Sequence, residues 1–428
     1  MLLSGKIFSI IKMNQNKIWI VTELFYPEET AVAYIFTRIA DYLSRNYKVG
    51  IICGPEFYDN HKTDFQDDLK LSNQIEIYRT NSLKLDKNSL IQRTLKVILL
   101  SLRMGFLIIR KVSKGELVLL ATNPAPLLLF VKIIKYFKKF QLHILVHDVF
   151  PENTIPAGIF KNDQSVAYKT IKYFFDKSYS SADHLIVIGR DMKQVVSSKV
   201  KRFKPAMPIS IVTNWTNPDK VEQLNHTRIN PKYITLQYAG NIGRVQGLLE
   251  ILDAFRLCAN DKIFLNIHGT GALSPFIETY IQEYKLENIQ LKGSFSRSDE
   301  HTILANCDIG IVSISKGMFG LGVPSKSYHL LAAGKPILFI GEPNTEISTM
   351  VVENGIGWSL DINNQNELID FFNHLGTVEL KELQQMGERS RALSENKYNE
   401  SATLQLLQMK IENFGSNAQI EPNKEWKV

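Results

Sequence analysis

Short runs of uncharged apolar residues alternate along most of this chain with segments whose apolar positions recur every three or four residues. The first kind has the length of buried strands and the second the periodicity of helices. The alternation predicts an α/β protein with parallel sheets. Lys17 to Phe25 opens as a strand, and Thr30 to Leu43 reads as the helix after it. KVGIICG, ELVLLAT, LHILVHD and HLIVIG continue the series, and ISIVTNW (Ile209 to Trp215) closes it. The stretch from Thr216 to Lys232, with two prolines and three asparagines, has the composition of a linker. The alternation then restarts with ITLQYAG, IFLNIHG, IQLKG, DIGIVSI and PILFIG. Two such series predict two Rossmann-like domains, spanning 17–218 and 219–398. A further helix over 399–414 follows, and the residues from Gly415 onward read as disordered.

Length and charge refine this picture. A chain of 428 residues exceeds one ordinary domain. Its three cysteines are far apart and form no C-x-x-C, which fits a reducing compartment and argues against a disulfide framework or structural zinc. The opening MLLSGKIFSIIKM lacks a signal-peptide cleavage site and reads as a disordered extension, or as residues ahead of a start at Met13. The formal charge of +7 points to an anionic partner. From Lys87 to Gly115 there are seven basic residues and no acidic one. Within Ser89–Val112, Arg93, Lys96, Arg103 and Arg110 share one helical stripe while the rest is mostly apolar. FVKIIKYFKKF repeats the pattern at Phe130–Phe140. These segments suit the interface of an anionic membrane, although a buried helix with one basic solvent face has the same pattern.

Three loops carry candidate chemistry. In QYAGNIGRVQGLLEILDAF a strand ends at Gly240, a loop holding Asn241, Gly243, Arg244 and Gln246 follows, and a helix starts near Gly247. Glycine loops that lead into helix N-termini suit phosphate, because backbone N–H groups point outward there. A tight turn without ligand has the same pattern. NIHGTGAL sets Gly269 and Gly271 at the end of another strand, the edge where open α/β sheets bind ligands. GMFGLGVPSKSYHLLAAGKPILFIG places three glycines before Pro324, which suits a first helical position and sets Ser325 and Lys326 in the first turn and His329 one turn later.

These segments, in this order, resemble the C-terminal domain of glycosyltransferase family 4, retaining enzymes of the GT-B fold. The bacterial enzymes of O-antigen, capsule and colanic acid assembly are most similar. The resemblance extends to LFYPEETAVAYIFTRIADYL, HDVFPENTIPAG and TNWTNPDKV, and so covers nearly the whole chain. It implies two Rossmann-like domains facing across a cleft, with the C-terminal helix returning to the N-domain. It implies a nucleotide-sugar donor, UDP ahead of GDP, held by the 240–247 loop, Gly269, Gly271, Ser325, Lys326 and His329. The family's arginine and lysine for the donor diphosphate fall on Asn241 and Gln246, leaving Arg244 and Lys326 to supply the charge. Its two glutamates fall on Leu321 and His329; capsule-type members with P-S-K-x-Y often relax the first. The resemblance further implies that Asp148 handles the acceptor hydroxyl and His147 the donor sugar, although an aspartate before Pro151 also fits a helix cap. Tyr26, Glu28, Glu29 and Glu152 fall on the acceptor side.

The function implied is transfer of a hexosyl or N-acetylaminohexosyl unit to a polyprenyl-diphosphate-linked saccharide, on the inner face of the cytoplasmic membrane, in surface polysaccharide synthesis. No cofactor, metal or nucleic acid is expected, and no D-x-D metal motif occurs. Two rivals share the architecture: a nucleotide-sugar 2-epimerase, and a decayed transferase that acts as a scaffold. A dinucleotide dehydrogenase fits poorly, because FYPEET follows the first strand in place of G-x-G-x-x-G.

Overall fold

The computed structural model describes residues 17–28, 30–56, 71–81, 90–221, 229–230, 232–295 and 299–413. The opening segment, Glu29, the middle of the expected linker, the side chain of Arg93 and the tail after 413 lie outside the described residues.

The first half runs β1 (Lys17–Thr22), α1 (Ala31–Ser44), β2 (Lys48–Cys53), β3 (Ile75–Arg79), α2 (Leu90–Lys111), β4 (Leu117–Ala121), α3 (Ala125–Lys138), β5 (Gln141–Val146), α4 (Val166–Tyr179), β6 (His184–Val187), α5 (Arg190–Lys201) and β7 (Ile209–Ile211). The second half runs β8 (Ile234–Ala239), α6 (Leu248–Leu257), β9 (Ile263–His268), α7 (Ser274–Glu283), β10 (Ile289–Leu291), α8 (Glu300–Ala305), β11 (Ile309–Ser313), α9 (Lys326–Ala332), β12 (Ile337–Gly341), α10 (Glu346–Asn354), β13 (Gly357–Asp361), α11 (Gln365–Leu375), α12 (Leu380–Asn396) and α13 (Glu400–Glu412).

Among the described residues each half holds one parallel sheet, ordered β3-β2-β1-β4-β5-β6-β7 and β10-β9-β8-β11-β12-β13. Both orders reverse direction beside their first strand, and ligands of such sheets sit outside the carboxyl ends at that reversal. β3 and β13 escape the apolar-run pattern: β3 exposes Glu76 and Ile77 at a sheet edge, and β13 carries Gly357, Ser359 and Asp361. Pro324 stands ahead of the Ser325 cap, so α9 begins two residues later than the sequence suggests.

Several contacts tie the halves together. The chain crosses twice, and the crossings pair where Thr216 N donates to Tyr398 O and Glu400 N to Thr216 O, both 3.0 Å. α13 then lies against α1: Glu400 accepts from Tyr34 Oη at 3.0 Å and from Arg38 Nε at 2.8 Å. On the far rim Arg190 grips Glu346 and Glu353, at 3.0 and 2.8 Å. Between these points Val149 N donates to Leu321 O at 3.1 Å. The apolar core of the first sheet continues through Met318 and Leu321 into the second half.

The segment after β5 is held from behind by a buried charge cluster. Lys199, with its side chain only 1% exposed, bridges Glu152 at 2.8 Å and Asp176 at 2.5 Å, and Lys172 adds to both. Burial alone would raise the Glu152 pKa; Lys199 and Lys172 outweigh it and hold the carboxyl below its usual range. Removing one partner strands the others, so Lys199→Ala costs about 3 kcal/mol, read as a lower urea midpoint. Glu152 stabilises as an anion, present above its unfolded pKa and lost as pH falls through the lower folded value. The deficit of Lys199→Ala therefore narrows in acid, which urea titrations at neutral and low pH measure.

Candidate functional site

Both halves contribute to one cleft cavity of about 620 Å³. The first half brings the start of α1 (Ala31, Val32, Ile35), His147 and Asp148 after β5, and Asn214 after β7. The second half brings Gly240, Asn241 and Gln246 after β8, then Gly322, Ser325, Lys326 and His329 around the start of α9. Most of these residues follow a strand's carboxyl end, where the sheet orders put a ligand site.

Lys326 sits within this wall. Its Nζ lies 3.5 Å from the centre of the Tyr238 ring and has no hydrogen-bond partner. Burial without an opposing carboxylate drops its pKa to about 7. Gly240 makes room beside it, since a Cβ there would come within 3.4 Å of the amine.

Across the cleft, Asn123 Nδ2 donates to Asp148 Oδ2 at 3.0 Å, leaving Oδ1 toward Gly322. Burial raises the Asp148 pKa, and the Asn123 bond only partly opposes it. The ring nitrogens of His147 are buried without a side-chain partner, and the Leu145 backbone lies close to the ring. Its ring packs on Phe36 at 5.4 Å between centres, and burial lowers its pKa to about 4, so it is neutral at physiological pH.

Eight of the residues singled out in the sequence thus meet at the cavity: His147, Asp148, Gly240, Asn241, Gln246, Ser325, Lys326 and His329. The rest stand elsewhere. Arg244 is exposed on the lip and reaches toward the opposite half, its Nη1 3.9 Å from where a Cβ of Gly158 would lie. It does not line the cavity with Lys326. Gly243 and Gly247 shape the turn, the latter with φ +64° against Ile362. Gly269 and Gly271 permit close backbone approach: a Cβ would stand 1.9 Å from Gly240 O and 2.3 Å from Ile242 O. They support the 240–242 turn from behind.

Glu152 faces Lys199 and Lys172, away from the cavity, because a buried lysine needs its charge more than the cleft does. Tyr26 is fixed through its backbone, its N–H on Thr37 Oγ1 at 3.2 Å and its carbonyl accepting from Arg79. Glu28 likewise lies outside the cavity wall, in the turn closed by its N–H on Phe25 O at 3.2 Å. Leu321 is 6% exposed inside the shared core, a place where a carboxylate would be costly.

Sequence reading missed Asn214, Asn123 and Tyr238. The first two follow strands directly and were findable by that rule; Tyr238 looked like an ordinary apolar strand position. Glu23, just past β1 but outside the cavity wall, has its pKa raised by burial to about 7 against the pull of Lys96.

Comparison with known proteins gives a consistent family. Glycosyl transferases group 1 matches residues 219–393. "Probable glycosyltransferase WbjE" of Pseudomonas aeruginosa is 35% identical over 329 residues, 75% of this chain and 80% of that protein. Among solved structures, WaaG, described as a glycosyltransferase involved in lipopolysaccharide biosynthesis, superposes with a TM-score of 0.63 at 13% identity, over 94% of this chain and 100% of that one. Anabaena HepE, solved with UDP and glucose, superposes with a TM-score of 0.66 at 11% identity, over 93% of this chain and 100% of that one. Two parallel Rossmann-like sheets facing across a cleft are the GT-B arrangement these structures share. By its identity to WbjE over three quarters of its length, the chain belongs to the group 1 glycosyl transferases, sugar-transferring enzymes built on the GT-B fold.

Proposed function

We propose that this enzyme is a retaining family 4 transferase that moves a hexosyl or N-acetylaminohexosyl unit from a nucleotide sugar to a lipid-linked saccharide in surface polysaccharide synthesis. The observation that carries the donor side is Lys326: a buried, unpartnered amine in the wall of a cleft beside a glycine loop. A diphosphate is the ligand such an amine lacks. HepE holds UDP and glucose on the same fold, and WaaG belongs to lipopolysaccharide biosynthesis; both support the reading. UDP is favoured over GDP.

In this reading Lys326 neutralises charge on the departing diphosphate, the main protein contribution to rate. His147, neutral and in the cavity wall, hydrogen-bonds a hydroxyl of the donor sugar. Asp148 Oδ1 accepts the hydrogen of the attacking acceptor hydroxyl, and its raised pKa makes it a better base than an exposed aspartate. Arg244 closes the lip over the bound donor.

The membrane side rests on α2, α3 and α4, which pack side by side. They expose Leu95, Leu102, Phe106 and Ile109, then Ile133, Tyr136 and Phe137, then Val166, Tyr173 and Phe174. Arg103, Arg110, Lys139, Lys169 and Lys177 stand exposed among them. No helix of the described residues is long and apolar enough to cross a membrane. An apolar face studded with cations suits insertion into the headgroup layer of an anionic leaflet, from which a lipid-linked acceptor is reached.

Release of UDP or GDP from their sugars, measured with and without lipid-linked saccharide, tests the proposal; acceptor-dependent release supports it. Epimerised free donor without acceptor would make the chain an epimerase, and donor binding without turnover on any acceptor a scaffold.

Lys326→Ala should lower turnover by about 10²–10³-fold. The amine titrates near 7 when the site is free, and a bound diphosphate raises that value. Binding above pH 7 must therefore take up a proton, so UDP affinity should fall by up to about tenfold per pH unit from there. Calorimetry across pH 7–9 should show this slope in the unaltered enzyme and none in Lys326→Ala. Asp148→Asn should cut turnover about 10²-fold or more while leaving UDP affinity nearly unchanged. The unaltered enzyme should sediment with phosphatidylglycerol vesicles and not with phosphatidylcholine alone. Tyr136→Ser combined with Phe137→Ser should weaken that binding at least about tenfold, by removing two aromatic anchors.

A further inference from the structure

The resemblance puts an arginine and a lysine at positions 241 and 246, where this chain has Asn241 and Gln246. One side chain beneath the cleft touches both substituted positions and Lys326. Tyr238, in β8, is 0% exposed. Its hydroxyl lies 2.6 Å from Asn241 O and 3.3 Å from the side-chain amide oxygen of Gln246.

A phenol has one proton to give, and burial pushes the Tyr238 pKa well above its usual value, so the proton stays. The shorter contact, to the Asn241 carbonyl, is the one it donates to. The Gln246 amide then serves best with its NH₂ turned toward the phenol oxygen, which accepts. Both ends of the loop that replaces the family's basic pair are thereby fixed to one atom.

The ring of the same residue carries the other half of the site. Lys326 Nζ stands over it at 3.5 Å, with Gly240 open beside it. The face of an aromatic ring attracts a cation without neutralising it. A carboxylate in that place would hold the amine equally well, but would compete with a phosphate for its charge. A tyrosine orients Lys326 and leaves its charge for a ligand.

We propose that Tyr238 is the positioning residue of the donor diphosphate subsite, its hydroxyl fixing the 241–246 loop and its ring holding Lys326 toward the cleft. This rests on the donor reading above and adds how the subsite keeps its geometry after the basic pair is lost.

The two contacts are separable by substitution. Tyr238→Phe keeps the ring and removes the hydroxyl; Tyr238→Leu removes both. Binding of UDP and GDP, and of uridine and guanosine as probes without phosphate, is measured by calorimetry on the full chain. For the nucleotide that binds, Tyr238→Phe should weaken affinity about fivefold, the value of one lost hydrogen bond. Tyr238→Leu should weaken it about 30-fold or more, as a desolvated ring–cation contact goes too. The matching nucleoside should bind all three proteins alike. In a Lys326→Ala background, Tyr238→Leu should cost no more than Tyr238→Phe, because the ring then has no cation to hold. Equal losses for nucleotide and nucleoside, or unchanged nucleotide affinity in Tyr238→Leu, overturn the inference and leave the donor reading standing. If the unaltered chain binds neither UDP nor GDP, the donor reading itself fails and takes this inference with it.

Discussion

A primary amine is costly to bury without a carboxylate beside it, and this molecule buries one where its two halves meet. Lys326 has an aromatic face below it, a glycine beside it and no hydrogen-bond partner. Much of the surrounding backbone is explained by what it takes to keep that arrangement. Gly269 and Gly271 let the neighbouring strand end press against the 240–242 turn, and Gly247 lets α6 start directly under it. The amine is left open to the cleft on its remaining side.

The same economy of charge governs the two halves' contact. Where the resemblance places a glutamate, Leu321 extends the apolar core across the cleft, and its carbonyl accepts from Val149. That bond anchors the backbone carrying Asp148, so the carboxylate nearest Gly322 comes from the opposite half. Farther out, Glu152 is spent on Lys199 and Lys172, which brace this strand exit from behind. Hence two acidic residues four positions apart have opposite employments: Asp148 is raised in pKa and faces the cavity, while Glu152 is lowered and structural.

The outer surface of the first half follows a different logic. α2 uses Leu100, Met104 and Ile108 for the core, yet its other flank stays apolar in company with α3 and α4. Gly105 lets α2 approach α3 closely enough for the three helices to form one face. A face of that kind in water has a cost that contact with lipid removes. It belongs to the same half that carries Asp148.

The apolar runs alone determined two parallel sheets, because a strand covered on both faces is apolar nearly throughout. They also located the strand exits, so His147, Asp148, Gly240, Asn241, Gln246, Ser325, Lys326 and His329 were legible as cleft residues. β3 and β13 were not, since edge strands keep polar side chains and lose the run. Nor could the sequence say which glycines face a ligand and which serve packing, for both look the same until neighbouring backbones are in place. The separate fates of Arg244, on the lip, and Lys326, in the wall, were decided by the fold. So was the part taken by Tyr238, for a side chain's partners across a loop depend on distances that spacing along the chain does not contain.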